Sequence, residues 1–130
     1  MNIKNVKNSV GVEITGSDSY VEIYNSKICD CSAHGVNLCG NAVNTSLVLN
    51  TCKINRNKGH GVRVCTSLTS DDNELNSFSF VQIFNCEISY NGRNGFYVKR
   101  NENKNDIENN ISNSKERIQS ISNKISNNNA

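Results

Sequence analysis

Short runs in which every second residue is apolar recur along the chain. Val21-x-Ile23, Leu47-x-Leu49 and Val81-x-Ile83 each open a segment, which closes with Val36-x-Leu38, Val62-x-Val64 or Phe96-x-Val98. A period of two marks strands with one buried face, whereas an amphipathic helix needs 3.6. Segments 21–38, 47–64 and 81–98 align without gaps. Between the two runs stands an isoleucine, Ile28, Ile54 or Ile88, and the glycine Gly35, Gly61 or Gly95 follows it by seven residues each time. Asn25, Thr51 and Asn85 sit three residues before that isoleucine, and Cys31, Asn57 and Asn91 three after. A partial earlier copy ends in Gly11-Val12-Glu13-Ile14.

Each fixed position has a physical reading. Glycine before a strand suits a tight turn with unusual backbone angles, or a close approach. Asparagine tolerates a bent backbone, and stacked copies can form a ladder of amide hydrogen bonds. One copy cannot bury its own apolar face, but stacked copies bury a continuous stripe. The glycines at 11, 35, 61 and 95 are separated by 24, 26 and 34 residues. The excess in the last interval lies in residues 66–78, which read as a surface loop carrying Asp71, Asp72 and Glu74.

The pattern h-x-Ile-x-Asn-x-x-Ile-x-x-Asn-x-x-x-Gly-h-x-h, with h apolar, resembles the parallel β-helix repeats of the pectate-lyase-like superfamily. The resemblance covers roughly residues 10–98. It implies an all-β fold, a right-handed parallel β-helix (solenoid) of about four coils with a polar, partly disordered C-terminal tail. Such repeats occur in polysaccharide lyases and hydrolases, in carbohydrate-binding modules and in the substrate-binding region of some F-box proteins. They specify fold far better than function.

On this reading residues 1–99 form the coils and 100–117 an Asn-rich insert or linker. Residues 118–130 form a partial coil or a short helix. Overlaying Ile118 on Val81 places Ile125 on Ile88 and makes the tail a truncated coil. Alternatively, Ile107, Ile111, Ile118, Ile121 and Ile125 fall on heptad positions of an amphipathic helix. A four-coil stack is only ~20 Å long, and its open ends call for further coils or a capping domain.

Composition narrows the function classes. Hydrophobic residues make up 35% of the 130, so the core must be thin and repetitive. A net charge of +2 argues against a nucleic-acid partner or an anionic membrane surface. No run of about 20 apolar residues suggests a membrane span. No secretory h-region is visible at the N-terminus, which points to the cytoplasm. Six cysteines without a CxxC pair read as reduced thiols rather than a zinc site. Cys52 aligns with Cys86 and Cys39 with Cys65, as columns of small side chains. No metal, cofactor or catalytic residue is expected.

The candidate site follows from which residues point outward. After each glycine the second residue faces solvent, giving a column of Glu13, Asn37, Arg63 and Tyr97. Immediately before the glycine stand His34, His60 and Asn94. Together these side chains suit a polar groove for a sugar chain or a protein segment: Arg63 for a carboxylate, Tyr97 for stacking. They equally suit a solvated face without a ligand. Gly59-His60-Gly61 resembles the Gly-His-Gly of polygalacturonase-type hydrolases. That family places its Asp pair upstream, however, whereas Asp71-Asp72 lies downstream, and its Asn-Thr-Asp and Arg-Ile-Lys elements are absent here. The Asp cluster that holds calcium in pectate lyases is also absent from the outward column. The expectation is a non-catalytic module binding a glycan or protein ligand, probed against two rivals. One is a polysaccharide lyase, hydrolase or epimerase. The other is the substrate-recognition scaffold of a ubiquitin-ligase adaptor.

Overall fold

The computed structural model describes residues 2–4, 6, 10–16, 18–39, 45–65, 80–99, 107–108, 118–121 and 124–128. Among these residues the chain forms strands only, in three sheets. The first, the isoleucine sheet, holds β1 (Asn2–Lys4), β4 (Lys27–Cys29), β7 (Lys53–Asn55), β10 (Glu87–Ser89) and β14 (Lys124–Ser126), in that spatial order. The glycine sheet, whose central strands follow the repeat glycines, runs β2 (Val12–Ile14), β5 (Val36–Leu38), β8 (Val62–Cys65), β11 (Phe96–Lys99) and β12 (Ile107–Glu108). The long sheet contains β3 (Tyr20–Tyr24), β6 (Ser46–Asn50), β9 (Phe80–Phe84) and β13 (Ile118–Ile121).

From β2 to β11 successive strands enter the glycine, long and isoleucine sheets in strict rotation, and every pairing among them is parallel. Each circuit therefore lies on the one before, one strand spacing away. The gapless sequence alignment is the register of the sheets: Val21 pairs with Leu47 and Leu47 with Val81. Ile28 pairs with Ile54 and Ile54 with Ile88. The apolar halves of the three sheets close on one core, in which Ile28, Ile54, Ile88, Val36, Val62, Phe96, Leu47, Leu49 and Ile83 are all fully buried.

The corners explain the fixed polar positions. Asn25, Thr51 and Asn85 take φ of 50°, 57° and 53°, and Asp30, Arg56, Tyr90 and Asn127 take 53–59°. Left-handed residues thus flank β4, β7 and β10 and bend the chain into and out of them, and Asn127 does the same after β14. Such a conformation costs an ordinary L-residue about 1–2 kcal/mol. Backbone bonds between circuits offset that cost: the Asn25 N–H donates to Asn50 O at 2.8 Å, Thr51 N–H to Phe84 O at 2.9 Å and Asp30 N–H to Arg56 O at 3.1 Å.

The column three residues after the isoleucine has a different task. Asn57 Oδ1 accepts the Cys31 N–H at 3.1 Å, while Asn57 Nδ2 donates to Ile28 O at 3.3 Å and to Asn91 Oδ1 at 3.0 Å. Asn91 repeats this, accepting the Asn57 N–H at 3.1 Å and donating to Ile54 O at 3.3 Å and Asn128 Oδ1 at 2.9 Å. Asn128 closes the series on the Asn91 N–H at 3.0 Å and Ile88 O at 3.1 Å. The ladder satisfies buried backbone groups that the strands leave unpaired. The repeat glycine belongs to the same construction. A Cβ on Gly35 would stand 2.7 Å from Gly61 O, 2.7 Å from Ile54 Cγ2 and 2.9 Å from Asn57 Nδ2. Close approach, not a positive φ, is what demands glycine there.

The tail extends the same sheets. Ile118 pairs with Val81 in β13, and Ile125 with Ile88 in β14. Strands, not a heptad helix, form at Ile107, Ile118, Ile121 and Ile125 because the isoleucines reach the open edges of existing sheets. β12 differs from every other strand: Glu108 pairs with Tyr97 and Ile107 with Val98 in antiparallel sense. It falls within the stretch read as a linker; the rest of that stretch and the loop at 66–78, with Asp71 and Asp72, lie outside the described residues.

Candidate functional site

Four outward residues of the glycine sheet stand side by side, because β2, β5, β8 and β11 pair in parallel register. Glu13 pairs with Asn37, Asn37 with Arg63 and Arg63 with Tyr97. Arg63 Nη1 donates to Asn37 Oδ1 at 3.2 Å, and Asn37 Nδ2 donates to Glu13 Oε1 at 3.5 Å and to Cys39 Sγ at 3.4 Å. The Cys39 thiol donates to Glu13 Oε1 at 3.1 Å. Burial, followed by this bond to Glu13, pushes the Cys39 thiol up to about 11. The column thus runs from an anion through an amide to a cation and then to an aromatic ring. Asn37, only 7% exposed, serves as the link between its neighbours rather than as an open contact.

Beside it the histidines form a stack. His34 and His60 lie with ring centroids 5.1 Å apart and planes 17° from parallel, and His60 lies 4.3 Å from the Tyr97 ring at 4°. The imidazoles also act as backbone acceptors: His34 Nδ1 accepts the His60 N–H at 2.9 Å, and His60 Nδ1 accepts the Asn94 N–H at 3.1 Å. This assigns both rings the Nε2–H tautomer. Burial first, and then the neighbouring cations Arg63 and Arg93, lowers His34 to about 4. His60 falls to about 4 as well, through burial, His34 and the two arginines. Both rings are neutral at pH 7, with Nδ1 occupied and Nε2 carrying a proton. Neither is poised to accept a proton from a substrate.

The seven sequence-derived residues therefore divide. Glu13 is exposed, and Arg63, Tyr97 and His34 are half-buried, so these four present surface to solvent. Asn37, His60 and Asn94 are buried and hold the others in place; Asn94, 2% exposed, offers its N–H to His60. Arg93, exposed and close enough to depress both histidines, was missed, although it directly precedes Asn94 in the repeat.

The buried thiols form their own column. The Cys52 N–H donates to Cys86 Sγ at 3.3 Å, and each thiol donates to backbone carbonyls, Cys52 to Ile23 O at 3.2 Å and Cys86 to Phe84 O at 3.2 Å. The hydrogen bond shared with Cys52, together with burial, pushes the Cys86 thiol up. All six cysteines are free. Among the described residues no group of three His, Cys, Asp or Glu side chains could hold a metal, and no helix is long and apolar enough to cross a membrane. No family model, curated protein or solved structure matches the chain.

Proposed function

We propose that this chain is a right-handed parallel β-helix (solenoid) of the pectate-lyase-like kind, acting as a non-catalytic module that binds an oligosaccharide along its glycine sheet. Handedness follows from the strong rule that parallel crossovers are right-handed. The carrying observation is the contiguous row Glu13–Asn37–Arg63–Tyr97 with the His34–His60 stack beside it. Arg63 keeps further N–H donors beyond its bond to Asn37, and Tyr97 offers a ring edge held rigid by His60. The module works in a reducing, cytoplasmic setting, where its thiols stay free, and its open sheet edges accept further coils or a capping domain.

The test is a thermal-shift series with neutral and acidic oligosaccharides. A melt raised by one sugar class, and at least tenfold weaker binding in Arg63→Ala, is expected. Unchanged affinity in Arg63→Ala would remove the site from this face.

A second reading, a protein-binding scaffold, is favoured by Tyr20 and Tyr24. They are 66% and 62% exposed on the outer face of the long sheet. Large exposed aromatic surface marks interaction sites. Loss of a protein partner in Tyr20→Ser/Tyr24→Ser, without any sugar response in the parent, is the result that would establish it.

A further inference from the structure

A different face, the outside of the isoleucine sheet, carries more cations than its carboxylates neutralise. The first residues of its strands form the row Asn2, Lys27, Lys53, Glu87 and Lys124, paired in register. Lys27 and Lys53 are lateral neighbours at one strand spacing, about 4.8 Å between backbones. Like charges placed so are destabilising. Lys4, itself exposed, pairs with the buried Cys29 of the adjacent strand. Among the described residues, both carboxylates on this face, Asp30 and Glu87, are engaged. Arg56 Nε donates to Asp30 Oδ1 at 3.1 Å and Arg56 Nη2 to Oδ2 at 3.2 Å, and Glu87 lies 3.9 Å from Lys53 Nζ. The bond from Arg56 holds the Asp30 carboxyl below its usual range, with Lys27 adding its field. Lys4 and Lys27 have no hydrogen-bonded or ion-pair partner among the described residues.

These groups enclose space. Asn2, Lys4, Lys27, Cys29, Asp30 and Arg56 line a cleft of about 280 Å³. Three cations against the one carboxylate of Asp30 leave two positive charges, which a dianion cancels. The volume sits just below the usual range for small-molecule pockets, roughly 300–1,000 Å³. It suits a single charged group better than a chain. We infer that this cleft binds a tetrahedral oxyanion, the phosphate or sulfate group of a ligand, through the ammonium groups of Lys4 and Lys27, the Asn2 amide and the outer edge of Arg56. Asp30 is the opposing charge in the cleft; its two oxygens stay turned to Arg56. The occupant offsets the repulsion that the row Lys27–Lys53 otherwise carries.

The experiment is calorimetric titration of the whole chain at low ionic strength with inorganic phosphate, inorganic sulfate and acetate. Saturable one-to-one binding of phosphate or sulfate is expected, at least tenfold weaker in Lys4→Gln/Lys27→Gln and unchanged in Lys124→Gln. Melting midpoints of both variants serve as the check that these surface changes leave the fold intact. Phosphate affinity that rises from pH 5 to 7, as the second proton leaves, with weaker sulfate binding, identifies a phosphate group. Stronger, pH-independent sulfate binding identifies a sulfate group. Absence of saturable binding, equal binding of acetate, or an equal loss in Lys124→Gln overturns the site.

Discussion

His60 lies flat on Tyr97, ring centroids 4.3 Å apart and planes 4° from parallel, while its Nδ1 accepts the Asn94 N–H at 3.1 Å. One imidazole thus joins two circuits twice, by ring stacking and by a backbone bond. The second bond requires an unprotonated Nδ1, which ties this contact to pH.

Stability should fall as pH drops from 6.5 towards 4. Both histidines titrate near 4 in the folded protein and near 6.5 when unfolded. Between those values the unfolded chain binds more protons, so the stabilisation present above pH 6.5 is progressively lost and the loss levels off below 4. The slope is at most about 1.4 kcal/mol per pH unit for each ring, less for half-exposed His34. Melting of the parent and of His34→Gln/His60→Gln should be compared at pH 7.5 and 5. The same acid shift in both would discard this account.

Asn57→Ala should destabilise the fold by about 3 kcal/mol, because it strands the buried Cys31 N–H and Ile28 O. Asn25→Ala, at an exposed corner, should cost far less, about the strain of a left-handed alanine. Denaturant midpoints distinguish the two; equal losses would mean that the ladder bonds contribute nothing beyond the corner.

Gly61→Ala should cost about 1–3 kcal/mol by overpacking. Its Cβ would stand 2.5 Å from Ile88 Cγ2, 2.6 Å from Gly95 O and 2.7 Å from Asn91 Nδ2, and Gly95 O is held by the Val62 N–H at 2.8 Å. Gly16→Ala meets nothing within 4 Å but sits at φ +92°, so its cost is conformational only. Thermal melts of the two variants are the check: a loss confined to Gly16→Ala, with Gly61→Ala as stable as the parent, would mean that the close approach of the circuits at Gly61 costs nothing.

Val62→Asp should unfold the protein and Arg63→Asp should not. Adjacent in β8, Val62 is fully buried and Arg63 half-buried. An unpaired carboxylate in the core costs several kcal/mol. Circular dichroism melts decide; equal damage from both would refute the inward and outward assignment.

Much of this arrangement was legible before any coordinates. Val21, Leu47 and Val81 each stand seven residues before Ile28, Ile54 or Ile88 and fourteen before Gly35, Gly61 or Gly95, and those are the residues that pair. Ile118 and Ile125 repeat the same interval, and they too extend the sheets. β1 was hidden because Ile3 precedes Gly11 by eight residues, not seven. Asn128 stands three residues after Ile125, as Asn91 does after Ile88, so the last rung of the ladder was readable from spacing alone. The antiparallel β12 was not, since nothing in an Asn-rich stretch specifies the direction in which Ile107 joins an edge.

The candidate site divides in the same way. Period-two alternation determined that Glu13, Asn37, Arg63 and Tyr97 lie outside the core, because successive side chains of a strand must point to opposite faces. Tertiary structure decided that Asn37 and His60 are covered, that Arg93 lies near the histidines, and that Lys4 and Lys27 line one cleft. Those outcomes depend on which side chains stack across circuits 24 to 34 residues apart. Alternation within a strand constrains direction, but it carries no information about what the neighbouring circuit places alongside.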